Sequence, residues 1–241
     1  EAICYNKNMD ELKIAGIEKF SMVDYGEKIA LTVFLEACNM RCPFCHNAAL
    51  LFPDSNNPGI PHSEILGYLT KRKGILDGVC VTGGEPTLHK ELPAFLEKVK
   101  ALGYPVKLDT NGTNPGAVKN LYQRGLIDYV AMDIKNSPAK YALTAGIPAP
   151  DLVAVKETAS FLMSSGIGYE FRTTLINEFH EESDMLEIGK WLEGAKLYYL
   201  QKFVPSGNCL TQGLTEAPIE KALHFKRLLS GYIDTVNLRG Y

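Results

Sequence analysis

Short apolar runs rich in β-branched residues alternate along this chain with longer stretches in which apolar positions recur every three or four residues. The first run, Ile-Ala-Leu-Thr-Val-Phe-Leu-Glu at 29–36, is too apolar to offer a solvent face and predicts a strand buried in a parallel sheet. The stretch 90–102 carries Leu92, Phe95, Leu96 and Val99 at i, i+3, i+4 and i+7, a single apolar stripe for a helix lying on that sheet. The same reading predicts helices over 63–73, 118–124, 151–164 and 181–193, and strands over 78–81, 106–109, 127–134, 169–175 and 197–204. A last helix over 219–229 leads to a short strand at 235–238. Residues 14–20, followed by Asp24-Tyr25-Gly26, read as an extended segment turning into the first strand.

Strands alternating with helices imply right-handed crossovers and a parallel sheet. Six such units fall short of the eight in a closed barrel. The expected fold is therefore α/β: one domain over 1–241, a single open (β/α)6 partial barrel of the TIM type. Its core would span 29–204, with an N-terminal extension at 1–28 and a C-terminal helix and strand within 205–241. The turn-rich segment 53–59 predicts an exposed, mobile loop within this domain.

Composition narrows the partners. Of 241 residues, 46% are hydrophobic and 22% charged, as in an ordinary globular chain, and a net charge of −3 offers no basic footprint for nucleic acid. No apolar run approaches the ~18 residues of a membrane span, and the opening residues have no leader-like apolar core. A cytoplasmic protein acting on a protein or small molecule, and on neither nucleic acid nor membrane, is the expectation.

Three of the six cysteines, Cys38, Cys42 and Cys45, fall within eight residues, immediately after the first predicted strand. In a reducing compartment such clustering points to metal ligation. An iron-sulfur cluster normally takes four protein ligands, so three would leave one iron open to an exogenous ligand. His46 could complete a zinc site of three cysteines and one histidine instead. Cys80, inside Val79-Cys80-Val81, reads as core packing; Cys4 and Cys209 have no assignment. His62, His89, His180 and His224 lie in polar contexts and read as surface residues. Phe44 suits equally a core position or a wall against a bound purine.

In parallel α/β folds the reacting groups gather at the C-terminal ends of the strands. Here those ends carry Thr82-Gly83-Gly84-Glu85, Asp109-Thr110-Asn111-Gly112, Asp133-Ile134-Lys135, Arg172-Thr173-Thr174 and Gln201. Residues two apart on a strand share a face, so Asp109 pairs in direction with Asn111, and Asp133 with Lys135. Charges on a buried wall need partners. A zwitterion bearing a ribose would provide them; a purely structural ion network among Asp109, Asp133, Lys135 and Arg172 is the competing reading, as a simple tight turn is for Gly83-Gly84.

Cys38-x3-Cys42-x-Phe44-Cys45 followed by Gly83-Gly84-Glu85 resembles the radical S-adenosylmethionine (SAM) superfamily. Cys45-His46-Asn47, Asp109-Thr110-Asn111-Gly112 and Asp133-x-Lys135 resemble its glycyl-radical activating enzymes. Residues 14–21, the stretch through Asn47 and the ending Val236-Asn237-Leu238-Arg239-Gly240 are most similar to activating proteins of anaerobic ribonucleoside-triphosphate reductase. The resemblance implies a 4Fe-4S cluster on Cys38, Cys42 and Cys45, with SAM on the open iron. It further implies Gly83, Gly84 and Glu85 around the methionine amino group, Lys135 and Arg172 toward a carboxylate or peptide, and Asp109, Thr110 and Asp133 toward ammonium or ribose, with Phe44 and Asn111 beside them. A glycyl-radical enzyme as partner and flavodoxin or ferredoxin as electron donor follow from the same likeness. A radical SAM enzyme acting on a small molecule, and an iron-sulfur or zinc module for electron transfer or structure, are the alternatives. Two departures stand out: Asp24-Tyr25-Gly26-Glu27 lacks the proline common after that tyrosine, and Gln201 stands where the pyruvate formate-lyase activator has a histidine.

Overall fold

The computed structural model describes residues 12–53 and 56–241. Cys4, and two residues of the loop predicted at 53–59, lie outside the described residues. Eight strands form one sheet: β1 (Ile14–Tyr25), β2 (Lys28–Leu35), β3 (Gly78–Gly83), β4 (Val106–Thr110), β5 (Tyr129–Asp133), β6 (Gly168–Leu175), β7 (Leu197–Lys202) and β8 (Thr235–Arg239). They lie side by side in chain order; β1 pairs antiparallel with β2, and every later pair is parallel. Sequential order without a reversal is the winding of a barrel rather than of a doubly wound sheet. Among the described residues β1 and β8 are free edges, so the barrel is open.

The six predicted barrel strands are β2 to β7, and the predicted terminal strand joins as a seventh parallel strand, from Leu197↔Thr235 to Gln201↔Arg239. The expected extended segment at 14–20 is the start of β1, which turns at Gly26 and pairs Tyr25 with Lys28. Around the sheet lie α1 (His62–Lys71), α2 (Leu92–Ala101), α3 (Pro115–Gln123), α4 (Tyr141–Ala145), α5 (Leu152–Ser165), α6 (Glu182–Trp191) and α7 (Ile219–Leu229). The stripe read in α2 is the one it buries: Leu92, Phe95, Leu96 and Val99 are all buried. Asn114 caps α3 and Asp151 caps α5 by accepting from the Ala117 and Ala154 amides.

Strand alternation divides the sheet. Val79 and Val81, Val106 and Leu108, Val130 and Met132, and Phe171 belong to the apolar core. The residues between them, Cys80, Lys107, Asp109, Asp133, Glu170 and Arg172, share the opposite face and make polar contacts there. Two histidines expected at the surface are interior. His62 is buried against Phe95, with Nε2 bonded to the Leu12 carbonyl (2.7 Å). His180 is fully buried, its Nδ1 accepting from the Ile176 amide (3.1 Å) and its Nε2 donating to the Lys135 carbonyl (3.0 Å). Burial keeps His180 neutral by pushing its pKa down. Polar neighbours in sequence hid both positions, because each ring is satisfied by backbone atoms distant in the chain.

Candidate active site

The cysteine loop leaves β2 through Ala37, the only non-glycine described residue with a positive φ (+67°). Such a conformation costs about 1–2 kcal/mol in an ordinary residue, and here it bends the chain across the strand ends. The loop is held from several sides. Ala37 and Cys38 amides donate to the Leu50 and Leu51 carbonyls, Arg41 N donates to Ala145 O at 2.9 Å, and Thr211 N donates to Pro43 O at 2.9 Å. Arg41 folds back: one guanidinium nitrogen donates to the Cys38 and Met40 carbonyls (2.6 and 2.7 Å), and the group lies 4.2 Å from the Phe52 ring centre. Asn39 bridges Asn111 and Thr113, both at 2.8 Å, tying the loop to the end of β4.

The glycine pair is a close-approach device. A Cβ on Gly83 (φ +116°) would lie 2.3 Å from Leu35 O, and one on Gly84 would lie 1.9 Å from Ala37 O. Only glycine lets β3 end against the root of the cysteine loop. The Gly84 and Glu85 amides then donate to Leu35 and Ala37 carbonyls, and Asn47 reaches the Gly83 carbonyl at 3.3 Å.

Cys38, Cys42 and Cys45 line one open cleft together with Phe44, Gly83, Gly84, Asp109, Thr110, Asn111, Asp133, Lys135 and Arg172. Of the cluster and cofactor residues that the resemblance implies, Glu85 alone is absent from its wall; Gly112, Thr173 and Gln201, also noted at the strand ends, do not line it either. Glu85 is fully buried behind that wall, where it accepts from the Thr87 and Asn111 amides and the Thr87 and Thr110 hydroxyls. Burial pushes its carboxyl pKa up despite those four donors. Phe44 is buried, meets Phe203 in a T-shaped contact at 6.5 Å and also lines the cleft, so it serves both the core and the site wall.

The charged strand ends form one chain of ion pairs. Arg172 bridges Asp133 (2.8 Å) and Asp109 (2.9 Å); Lys135 holds the other Asp133 oxygen at 2.9 Å, and Lys107 pairs with Asp109. Burial pushes both aspartates up, but Arg172 together with Lys107 or Lys135 more than offsets it, leaving both below the usual carboxylate range. Burial likewise opposes the charges on Lys135 and Arg172, and their aspartate partners hold both above their ordinary values. The competing structural reading thus describes real ion pairs, and they line the same cleft as the cysteines. Burial raises all three thiols, and Lys135 pulls each of them back down. Lys135 is therefore placed to favour thiolates.

Sequence reading missed Asn39, Arg41, Lys107 and Gly146. Asn39 and Arg41 sit inside the cysteine spacing, and Lys107 shares strand alternation with Asp109, so those three left a signal. Gly146 left none: it caps α4 at φ +67°, where a Cβ would lie 1.9 Å from Arg41 O.

Residues 32–189 match the family described as the radical SAM superfamily. The chain belongs to that superfamily. It is similar to a Methanocaldococcus jannaschii protein provisionally named as a glycyl-radical enzyme activating enzyme, at 31% identity over 94% of this chain and 95% of that one. It also matches 7-carboxy-7-deazaguanine synthase of Thermoplasma acidophilum, at 34% identity over 46% of this chain and 49% of that one. Among solved structures, SuiB of Streptococcus suis bound to S-adenosylmethionine shares the fold, with TM-score 0.63 and 14% identity over 86% of this chain and 51% of that one. The chain is thus a radical SAM enzyme, an oxidoreductase, whose cofactors are a 4Fe-4S cluster and SAM.

The donor set fits that cluster and not a single zinc ion. Among the described residues no three His, Cys, Asp or Glu side chains converge closely enough to hold one ion. Thiolates on separate irons of a cubane stand farther apart than ligands sharing one metal. His46 borders the same cleft, but its ring is stacked on Phe203 at 5.5 Å and its Nε2 is bonded to Val204 O at 2.8 Å.

Proposed function

We propose that this radical SAM enzyme is an activase that installs a glycyl radical on a partner enzyme, anaerobic ribonucleoside-triphosphate reductase. The observation that carries the reading is the likeness, over nearly the whole chain, to the Methanocaldococcus jannaschii protein. An open sheet with free edges at β1 and β8 supports it, since a protein loop can approach a barrel that is not closed. When bound and reduced, through flavodoxin or ferredoxin, the cluster supplies the electron that splits SAM into methionine and the 5′-deoxyadenosyl radical that takes the glycine α-hydrogen.

The chain's own residues hold and orient these parts. Cys38, Cys42 and Cys45 would hold the cluster. The Gly83-Gly84 end of β3, held by close packing on Leu35 and Ala37, lines the cleft where the methionine ammonium would sit, while Glu85 acts from behind by fixing Thr110 and Asn111. Lys135 has one carboxylate partner and spare donors, which makes it the cation for the methionine carboxylate. Arg172 commits Nε to Asp133 and one Nη1 donor to Asp109 and so sets the positions of the acids that would meet the ribose.

The test is electron paramagnetic resonance after mixing the reduced, cluster-loaded protein and SAM with the purified reductase. A persistent glycyl doublet with matching formation of 5′-deoxyadenosine is expected. The match to 7-carboxy-7-deazaguanine synthase supports a second reading, a small-molecule substrate. Turnover of a free metabolite with no radical on any protein would establish that reading instead.

A further inference from the structure

Asn111 is buried just past the end of β4, on the wall of the cleft. Glu85 fixes its backbone amide at 2.6 Å. Its side chain is fixed by two residues that do not line the cleft, Asn39 in the cysteine loop and Thr113. Asn111 Oδ1 accepts from the Thr113 amide (3.0 Å) and the Thr113 hydroxyl (2.7 Å); Asn111 Nδ2 donates to Asn39 Oδ1, and Asn39 Nδ2 donates to Thr113 Oγ1, both at 2.8 Å. Three side chains thus close a ring in which each donates to the next, and bonds in such a chain reinforce one another. The ring leaves no choice of amide orientation. A backbone N–H can only donate, so the atom that meets the Thr113 amide is the Asn111 oxygen, and the nitrogen is the atom turned to Asn39.

Counting donors leaves one over. An asparagine nitrogen carries two protons, and among the described residues Asn111 Nδ2 has a single acceptor, while the oxygen of the same amide already takes two donors. A buried N–H calls for an acceptor, and the open space that Asn111 borders is the cleft. Position narrows the acceptor. Asn39 follows Cys38 directly in the chain, so the amide it holds stands at the cluster end of the cleft. The part of SAM that belongs there, on the open iron, is the methionine half. Its ammonium can only donate and its carboxylate can only accept, so a surplus donor serves the carboxylate.

We infer that Asn111 donates its unspent N–H to the methionine carboxylate of SAM, and that Asn39 and Thr113 are positioning residues that act on SAM through Asn111. Removing either breaks the ring and frees the Asn111 amide to turn, while the wall of the cleft keeps all of its residues. The inference rests on SAM binding in this cleft and is independent of which partner is activated.

The test is a double-mutant cycle on SAM affinity, read by titration calorimetry on the cluster-loaded protein with the cluster left oxidised, so that SAM binds and is not split. Asn111→Ala is expected to weaken SAM by about tenfold or more, and Asn39→Ala and Thr113→Val by about threefold each. In the Asn111→Ala background neither second substitution should weaken SAM further; additive losses would mean that Asn39 and Thr113 act by another route, and overturn the inference. An unchanged affinity in Asn111→Ala overturns it as well. Decarboxylated SAM is the probe for the acceptor: Asn111→Ala should bind it as the wild type does, and an equal loss for both compounds removes the carboxylate from the assignment. Iron content is expected to stay at the wild-type level throughout. Should Asn39→Ala fail to load, Thr113→Val, outside the cysteine loop, completes the same cycle and decides it. If the loaded wild-type protein does not bind SAM, the reading of the cleft as the cofactor site falls and takes this one with it.

Discussion

Glu85 is a buried anion with four protein donors and no place on the cleft wall. Its oxygens join the end of β3 to the end of β4, so its charge is structural and its effect on the site passes through Thr110 and Asn111. Glutamine cannot copy it, because one amide nitrogen would face a donor. Glu85→Gln is expected to lower stability by about 1–3 kcal/mol in denaturant unfolding, and a change within about 0.5 kcal/mol would refute the role. Lys135 sits on the open side of the ion-pair chain. Lys135→Met leaves Asp133 with Arg172, so the fold should hold and the loss should fall on the SAM carboxylate. Binding of SAM to the cluster-loaded variant is expected to weaken by tenfold or more, consistent with about 1.5–3 kcal/mol for a hydrogen bond between charged groups; unchanged affinity would exclude Lys135 from that contact.

At the scale of elements, the site is made by strand ends meeting one loop, and α4 is the part that locks the loop. Gly146 has no room for a side chain against Arg41 O. Gly146→Ala is therefore expected to displace the cysteine loop or α4, cutting reconstituted iron content by more than half while circular dichroism stays native. Gly166 is the control: it has a similar φ of +83° at the end of α5, but a methyl group there would meet nothing within 4 Å. Gly166→Ala should cost about 1–2 kcal/mol of backbone strain and leave iron content unchanged. These two glycines explain what sequence reveals and what it conceals. Strand ends were legible because an apolar run that stops at Asp109 or Asp133 changes character within a residue or two. Helix α4 was not, since five residues are too few to show a period and its work is done through Arg41, far off in the chain. The end of β1, from Ser21 to Tyr25, escaped detection for a related reason: register shifts between Glu18 and Ser21 and between Ser21 and Tyr25 break the alternation that marks a strand.

Taken as a whole, the molecule is an apolar ring of sheet and helices around a charged interior, and the open six-strand core was readable by counting units. What counting could not show is that Lys107, which looks like a solvent-facing residue in a strand, faces inward and is 3% exposed beside Asp109. That interior makes stability depend on pH in a definite sense. Asp109 and Asp133 have folded pKa values below their unfolded value of about 3.9. Below that value the unfolded chain binds more protons than the native one, so stability rises with pH through this window and is fully present above it. Lys135 and Arg172 have raised folded values, and their contribution is present below the unfolded lysine value of about 10.4 and lost as pH rises through the folded one. Glu85 runs against the aspartates: its raised value makes its contribution greatest in acid and smaller as pH rises through it. The depressed Asp109, Asp133, Glu178 and Asp184 outweigh the one raised Glu85, and the raised Cys38, Cys42, Cys45 and Cys80 thiols withdraw stability once their unfolded counterparts ionise, so thermal melts of the cluster-free protein should show a plateau from about pH 5 to about pH 8 with falling stability on both sides. Asp133→Asn leaves Arg172 with Asp109 alone and strips Lys135 of its partner, which should cost about 3–5 kcal/mol on the plateau. It should also flatten the acid slope, because the proton that Asp133 takes up on acid unfolding has been removed. A variant that melts lower with the slope unchanged would mean that Asp133 is not a source of the acid sensitivity.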